Sequence, residues 1–335
     1  MLISLKDCFE MYLNFFLSEC THLRYFVPII EEASRRNYKS RFFVGYSGKY
    51  NCALNYGNFD YISALAEILE VEIFPIEELK EHTGITFFVE PQIERLQFAS
   101  SRQKIVVISS MTDFTLKLRA YENAADHIFL PSKFLAEFYD VVSPKNVYLG
   151  SPKYDVVLEE EEVLKKYNLS KGRYALIIAP RTRDLHKFDL TRLYTSLNKA
   201  GYQTLVKTRG KDPLPRSMHG DRYFTDPSWY PHTTMELIHI SDIVVNFSST
   251  SIKECVLQRT PVVNYHIKPF EQPLKFMYEH SYCESLGSEF DENILLDAIN
   301  RLTSEDLDDT FNKSIQKYLF TGNSSKKILD YLGVL

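Results

Sequence analysis

The strongest constraint on this chain is rhythmic. Short runs that are apolar throughout alternate with amphipathic stretches, once before and once after a pause near Gly150. A strand that is apolar on both faces must be covered on both faces, and helices packed over a parallel sheet do this. In the first half, strands are predicted at Tyr12–Leu17, Arg41–Val44, Thr86–Val89, Ile105–Ser109, His127–Leu130 and Val147–Leu149. Helical patterns at Pro28–Arg36, Tyr61–Leu69, Thr115–Glu122 and Lys133–Tyr139 separate them. The second half predicts strands at Tyr174–Pro180, Gln203–Lys207, Ile243–Phe247 and Pro261–Tyr265, with helices at Leu190–Ala200, Met235–Ile240 and Ile252–Gln258. The fold class is therefore α/β, with two Rossmann-like domains whose parallel sheets face an interdomain cleft.

At 335 residues the chain suits two domains, each large enough to bury a core without metal or disulfide staples. The division reads as an N-terminal domain over 1–152, a C-terminal domain over 170–310, and helices over 311–335 that cross back toward the first half. The connection contains an acidic helix, Leu158–Tyr167, whose Glu159–Glu162 run suits a helix start better than a metal site. A net charge of -5 speaks against sequence-independent nucleic-acid binding, which needs an overall basic field. The five cysteines are scattered, without metal-ligand spacing, and read as reduced thiols of a cytosolic protein. The N-terminus carries Lys6, Asp7 and Glu10 where a signal peptide would be apolar, and no apolar run is long enough to span a bilayer. The protein is expected to be cytoplasmic, or at most attached to a membrane surface.

In an open parallel sheet, ligands bind beyond the carboxyl ends of the strands. The segment that stands out is Ile243–Glu254, where a buried strand enters Ser248, Ser249, Thr250 and Ser251 and then a helix. Small hydroxyl residues there leave backbone N–H groups open to phosphate oxygens, and Glu254 can accept from ribose hydroxyls. Ser251-x-x-Glu254 also fits a plain capping box, which needs no ligand. Arg181 and Arg183 follow the strand Tyr174–Pro180 and suit a diphosphate. Lys207, Arg209 and Lys211 follow the next strand, although any one basic cluster is more often solvated surface. In the first half, the loop Ser18–Arg24 supplies Glu19 and His22, and Ser110–Asp113 supplies Asp113. Any of these three could deprotonate an acceptor hydroxyl, while His22 reads equally as a structural histidine. No G-x-G-x-x-G loop, P-loop or G-x-S-x-G elbow is present.

Two stretches carry a family likeness. His127-Ile-Phe-Leu-Pro-Ser-Lys-Phe-Leu-Ala-Glu-Phe138, followed by Gly150-Ser-Pro-Lys-Tyr-Asp155, resembles the end of an N-terminal domain of the GT-B glycosyltransferase superfamily. The likeness is to CDP-glycerol glycerophosphotransferases and capsular polysaccharide enzymes, with their "G-x-P-x-x-D" turn. Ile178–Asp184 and Ser241–Ser251, leading to Pro261–Tyr265, resemble the second domain of the same group. The likeness spans roughly Ala125–Tyr265 and implies that Ser248–Ser251, Lys207 and Arg209 contact donor phosphates, that Glu254 lies near the ribose, and that no metal or other cofactor is needed. The glycerophosphotransferases carry a His-Gly pair where Ser110-Met-Thr-Asp113 stands, and a Pro-His-Pro-like turn where Lys207-Thr-Arg-Gly210 stands. Their absence favours glycosyl transfer over alditol-phosphate transfer. The hydrolysing nucleotide-sugar 2-epimerases share the fold but open with a Gly-Thr-Arg-Pro-Glu-like loop, which Ser18–His22 is not. The expectation is an inverting, metal-independent glycosyltransferase that takes a nucleotide-sugar donor and a glycan or lipid-linked acceptor and builds a surface or capsular glycan. Phospho-alditol transfer from a CDP donor, or a non-catalytic nucleotide- or glycan-binding module, are the alternatives.

Overall fold

The computed structural model describes residues 11–46, 59–89, 93–110, 123–208, 213–225, 229–267, 274–319 and 322–334. The chain divides into two compact units, Met1–Asp155 with Phe320–Leu335, and Val156–Leu319.

The first unit is built on seven strands: β1 (Tyr12–Leu17), β2 (Lys39–Val44), β3 (Glu72–Pro75), β4 (Gly84–Val89), β5 (Gln103–Ile108), β6 (His127–Leu130) and β7 (Asn146–Tyr148). Every pairing is parallel and the order is β3-β2-β1-β4-β5-β6-β7, so the direction of winding reverses between β1 and β4. Helices α1 (Leu23–Arg35), α2 (Phe59–Ile68) and α3 (Lys133–Phe138) belong to the same unit. Aromatic side chains fill this core: Phe15 stacks on Phe87 with ring centroids 5.0 Å apart, and Phe26 of α1 meets Phe15 at 5.2 Å. Their faces supply much of the buried apolar area that stabilises the sheet. Gly84 opens β4 with φ +116°, and a Cβ there would sit 2.2 Å from the Tyr12 carbonyl oxygen. A glycine is required for β4 to enter beside β1, which is where the sheet reverses.

The second unit holds α4 (Glu160–Lys166), β8 (Tyr174–Ile178), α5 (Leu190–Lys199), β9 (Gln203–Lys207), β10 (Arg222–Phe224), α6 (Thr233–His239), β11 (Ile243–Asn246), α7 (Ile252–Gln258), β12 (Val262–Tyr265), β13 (Cys283–Leu286), α8 (Glu292–Ser304) and α9 (Asp308–Ser314). Its six-stranded sheet runs β10-β9-β8-β11-β12-β13, parallel throughout, with the reversal between β8 and β11. Strands β8, β11 and β12 are buried at every position. Both sheets thus share the doubly wound topology expected from apolar runs alternating with helices. The acidic helix α4 is tied down by its basic end: Lys166 Nζ lies 2.7 Å from Glu236 Oε1 of α6, a residue only 3% exposed.

The last helix, α10 (Ser324–Leu332), belongs to the first unit. Asp155 receives its leading amides, with Ser324 N–H to Oδ1 at 2.9 Å and Ser325 N–H to Oδ2 at 2.6 Å. Arg36 at the end of α1 reaches Asp330 Oδ1 at 2.7 Å. The carboxylate of the Gly150–Asp155 turn is therefore a helix anchor. Cys20, Cys255 and Cys283 are buried free thiols; Cys8 and Cys52 lie outside the described residues. No helix among the described residues is long and apolar enough to cross a membrane.

Candidate functional sites in the two units

In the second unit, the reversal between β8 and β11 points to the segments that leave those strands. Past β11 the chain turns through Ser248, which holds φ +53°, a left-handed conformation costing a residue with a Cβ about 1–2 kcal/mol. Three buried side chains enforce the turn. Asn246 Oδ1 accepts from the amides of Phe247 at 3.0 Å and Ser249 at 3.3 Å. Asn264 Oδ1 of β12 accepts from the Ser248 amide at 2.8 Å. The Tyr278 hydroxyl donates to the Ser249 carbonyl and itself accepts from Asn246 Nδ2 at 2.8 Å.

Ser251 does not act as the cap of a capping box. It has helical angles and makes no side-chain cap bond to α7; its Oγ pairs with Ser249 Oγ at 3.1 Å. Ser249, Thr250 and Ser251 are half-buried, and the Thr250 amide has no hydrogen-bond partner among the described residues. Hydroxyls and an open amide on a rigid turn are what an oxyanion requires. Ser248 is 2% exposed, with its Oγ 3.3 Å from His266 Nδ1 at the end of β12. Glu254, in the first turn of α7, is 3% exposed.

The basic candidates are placed differently from one another. Arg181 is exposed just beyond β8, and Arg183 is exposed with its Nε 3.7 Å from Asp184 Oδ2. Lys187 Nζ holds the other oxygen of Asp184 at 2.7 Å. Lys207 ends β9 only 3% exposed, with its ammonium donating to the Thr208 carbonyl. Arg209 and Lys211 lie outside the described residues. Trp229 is buried, its ring 6.5 Å from that of His232.

In the first unit, the corresponding reversal lies between β1 and β4. Glu19 follows β1, and His22 closes the 3-10 turn Cys20–His22 that leads into α1. Arg95 comes from the 3-10 segment Ile93–Phe98 beyond β4 and donates from Nη2 to Glu19 Oε1 at 3.0 Å. His22 is 4% exposed; burial pushes its pKa down to about 3, with the Arg95 charge adding to the effect and Glu19 opposing it. Burial alone would raise the Glu19 carboxyl, but the charges of His22 and Arg95 and the hydrogen bond from Arg95 hold it below its ordinary value. Because His22 is neutral above about pH 3, Arg95 is the partner that counts at neutral pH. Both Glu19 and His22 are hydrogen-bond acceptors of reduced basicity. Asp113 lies outside the described residues.

Arg95 has no local signal that would single it out, since an arginine in an amphipathic stretch is usually solvated. Its importance follows from β4 pairing with β1, which brings two segments 76 positions apart into contact.

No protein-family model and no curated protein matches this sequence. Solved structures do resemble it along nearly the whole chain. The wall teichoic acid polymerase TagF, soaked with CDPG, has a TM-score of 0.67 at 14% identity, covering 97% of this chain and 88% of that one. The UDP-GlcNAc 2-epimerase of Neisseria meningitidis, bound to UDP-GlcNAc, has a TM-score of 0.64 at 13% identity, covering 96% and 99%. The glycotransferase of kitacinnamycin has a TM-score of 0.63 at 10% identity, covering 97% and 98%. The fold is GT-B. The two parallel sheets are those expected from the sequence, and the likeness covers the first hundred residues as well as the stretch that carried the motifs.

Proposed function

We propose that this chain is a glycosyltransferase that takes a nucleotide-activated sugar and acts by inversion without a metal. Its donor phosphates rest on the Ser248–Ser251 turn. The observation that carries the reading is the turn itself: a strained Ser248 held by Asn246, Asn264 and Tyr278 beyond the strand where the sheet reverses. A turn fixed by three buried side chains presents its hydroxyls and the Thr250 amide without reorganisation, which is how leaving-group charge is stabilised. Arg181 and Arg183, with Lys207 and Arg209, supply positive charge for the departing diphosphate, and Glu254 accepts from the ribose.

In the first unit, Asp113 accepts the proton of the acceptor hydroxyl, while Glu19 and His22, whose basicity is reduced, position that hydroxyl by accepting hydrogen bonds. The acceptor oxygen attacks the anomeric carbon as the bond from that carbon to the phosphate oxygen breaks. A surface or capsular glycan, or its lipid-linked precursor, is the acceptor, and the enzyme works in the cytoplasm or at the inner face of the membrane. Similar folds that hold UDP-GlcNAc or CDPG support a nucleotide-activated donor. The resemblance to a teichoic acid polymerase keeps phospho-alditol transfer as the second reading, separable by whether phosphate appears in the product linkage.

The test is a thermal-shift titration against UDP, GDP, CMP, CDP and ADP, repeated on Ser249→Ala combined with Arg181→Ala. One nucleotide is expected to raise the apparent stability, by about 2.7 kcal/mol at a hundredfold excess over Kd, and the double variant is expected to lose most of that gain. No shift with any nucleotide, or an undiminished shift in the variant, overturns the reading.

A further inference from the structure

The hydroxyl turn of the second unit has a basic neighbour that no sequence motif singles out. His266 directly follows β12 and is exposed, whereas Asn264 and Tyr265 before it are buried. Its main chain continues the sheet, with the His266 amide donating to the Leu286 carbonyl of β13 at 3.2 Å. Its ring is held from another side, with Nδ1 3.3 Å from Ser248 Oγ. Ser248 is itself fixed in place, by its φ of +53° and by Asn264 Oδ1, which accepts from its amide at 2.8 Å. Ordering an exposed side chain costs conformational entropy when a ligand has to do it. Here the fold has already anchored the imidazole at its backbone and at one ring nitrogen.

The other nitrogen, Nε2, has no hydrogen-bond partner among the described residues, and the ring pairs with no carboxylate there. An imidazolium donates from both nitrogens, and a neutral ring that accepts from Ser248 at Nδ1 carries its hydrogen on Nε2. Both states present an N–H beside a turn that already offers hydroxyls and the Thr250 amide. A phosphoryl oxygen selects these states over the remaining tautomer, whose bare Nε2 lone pair would repel it. Two of the cations after β8 and β9 are turned to other groups, Arg183 to Asp184 and the Lys207 ammonium to the Thr208 carbonyl. His266 is joined to the turn by a hydrogen bond of its own.

We propose that His266 is a donor-binding residue, whose Nε2–H bonds a phosphate oxygen of the nucleotide-activated donor while Ser248 orients the ring for that contact. The proposal rests on the reading of Ser248–Ser251 as the seat of the donor phosphates and adds an imidazole to that seat.

The full chain and its His266→Ala, His266→Gln and His266→Asn variants are titrated calorimetrically with UDP, GDP, CDP, CMP and ADP. His266→Ala is expected to weaken the nucleotide that binds the wild type by about tenfold, as the loss of a charge-assisted hydrogen bond does. A glutamine places its amide nitrogen near the position of Nε2 and an asparagine near that of Nδ1. His266→Gln is therefore expected to bind severalfold more tightly than His266→Asn. Because His266 is exposed, the melting temperatures of the ligand-free variants are expected to match the wild type. Ser248→Ala combined with His266→Ala is expected to cost less than the two single losses together, since Ser248 acts in part through the ring. If no nucleotide binds the wild type, the reading of the turn falls and the role of His266 with it. If one binds and His266→Ala holds it as tightly, or His266→Asn recovers as much as His266→Gln, the turn stands and the role of His266 alone is overturned.

Discussion

His22 shows how far a residue's surroundings can depart from what its neighbours in sequence suggest. A histidine in a loop after a strand reads as a candidate base, yet this one is almost fully buried and stays neutral down to about pH 3. In the unfolded chain the same ring titrates near its ordinary value of 6.5. Between those two values the unfolded chain binds the extra proton, so the stability owed to the neutral ring is present in full above about pH 6.5. It is lost progressively as the pH falls toward 3, by at most about 1.4 kcal/mol per pH unit. Urea unfolding of the wild type at a series of pH values from neutral to mildly acid is expected to show this slope, and His22→Gln is expected to flatten part of it. Equal slopes for the two proteins would mean that the ring is solvated or charged in the folded state. The same environment bears on the proposed proton transfer. A histidine of such low basicity accepts a hydrogen bond readily but holds a transferred proton poorly, and Glu19, kept ionised by Arg95, shares that property.

Strands that are apolar on both faces were legible from sequence, because runs such as Tyr174–Ile178 or Ile243–Val245 are unbroken and too short for a helix between turn signals. The strands absent from that reading are β3, β10 and β13, which all lie at sheet edges. Their short stretches, Glu72–Pro75, Arg222–Phe224 and Cys283–Leu286, are only partly buried, so they lack the continuous apolar signal of a central strand. The hydroxyl turn was legible in composition, but its rigidity was not, since Asn264 and Tyr278 reach it from other parts of the chain. The Gly150–Asp155 turn was legible as a motif, whereas Asp155 acts on a helix 169 positions away. Asp155→Ala removes two bonds to the leading amides of α10 and is expected to cost about 1 kcal/mol. The loss should appear as faster amide exchange across Ser324–Leu332, with exchange in β8 and β11 unchanged. Unaltered exchange in α10 would mean that its packing on the first unit suffices without the cap.

At the scale of the whole molecule, the two sheets repeat one plan, each reversing its winding at its fourth strand, and each reversal carries a different chemistry. The second unit presents hydroxyls and an open amide on a rigid turn; the first gathers a carboxylate, a neutral imidazole and a guanidinium. A division of labour between donor and acceptor follows if the proposed function is right, and amide exchange can read it. A nucleotide that binds only the folded protein slows exchange most where it makes contact. With saturating nucleotide, protection is expected to concentrate in Asn246–Glu254 and in the segment after β8, Ala179–Asp184. Protection centred instead on Ser18–Arg24 and Ile93–Phe98 would place the nucleotide on the first unit and reverse the assignment of the two sites.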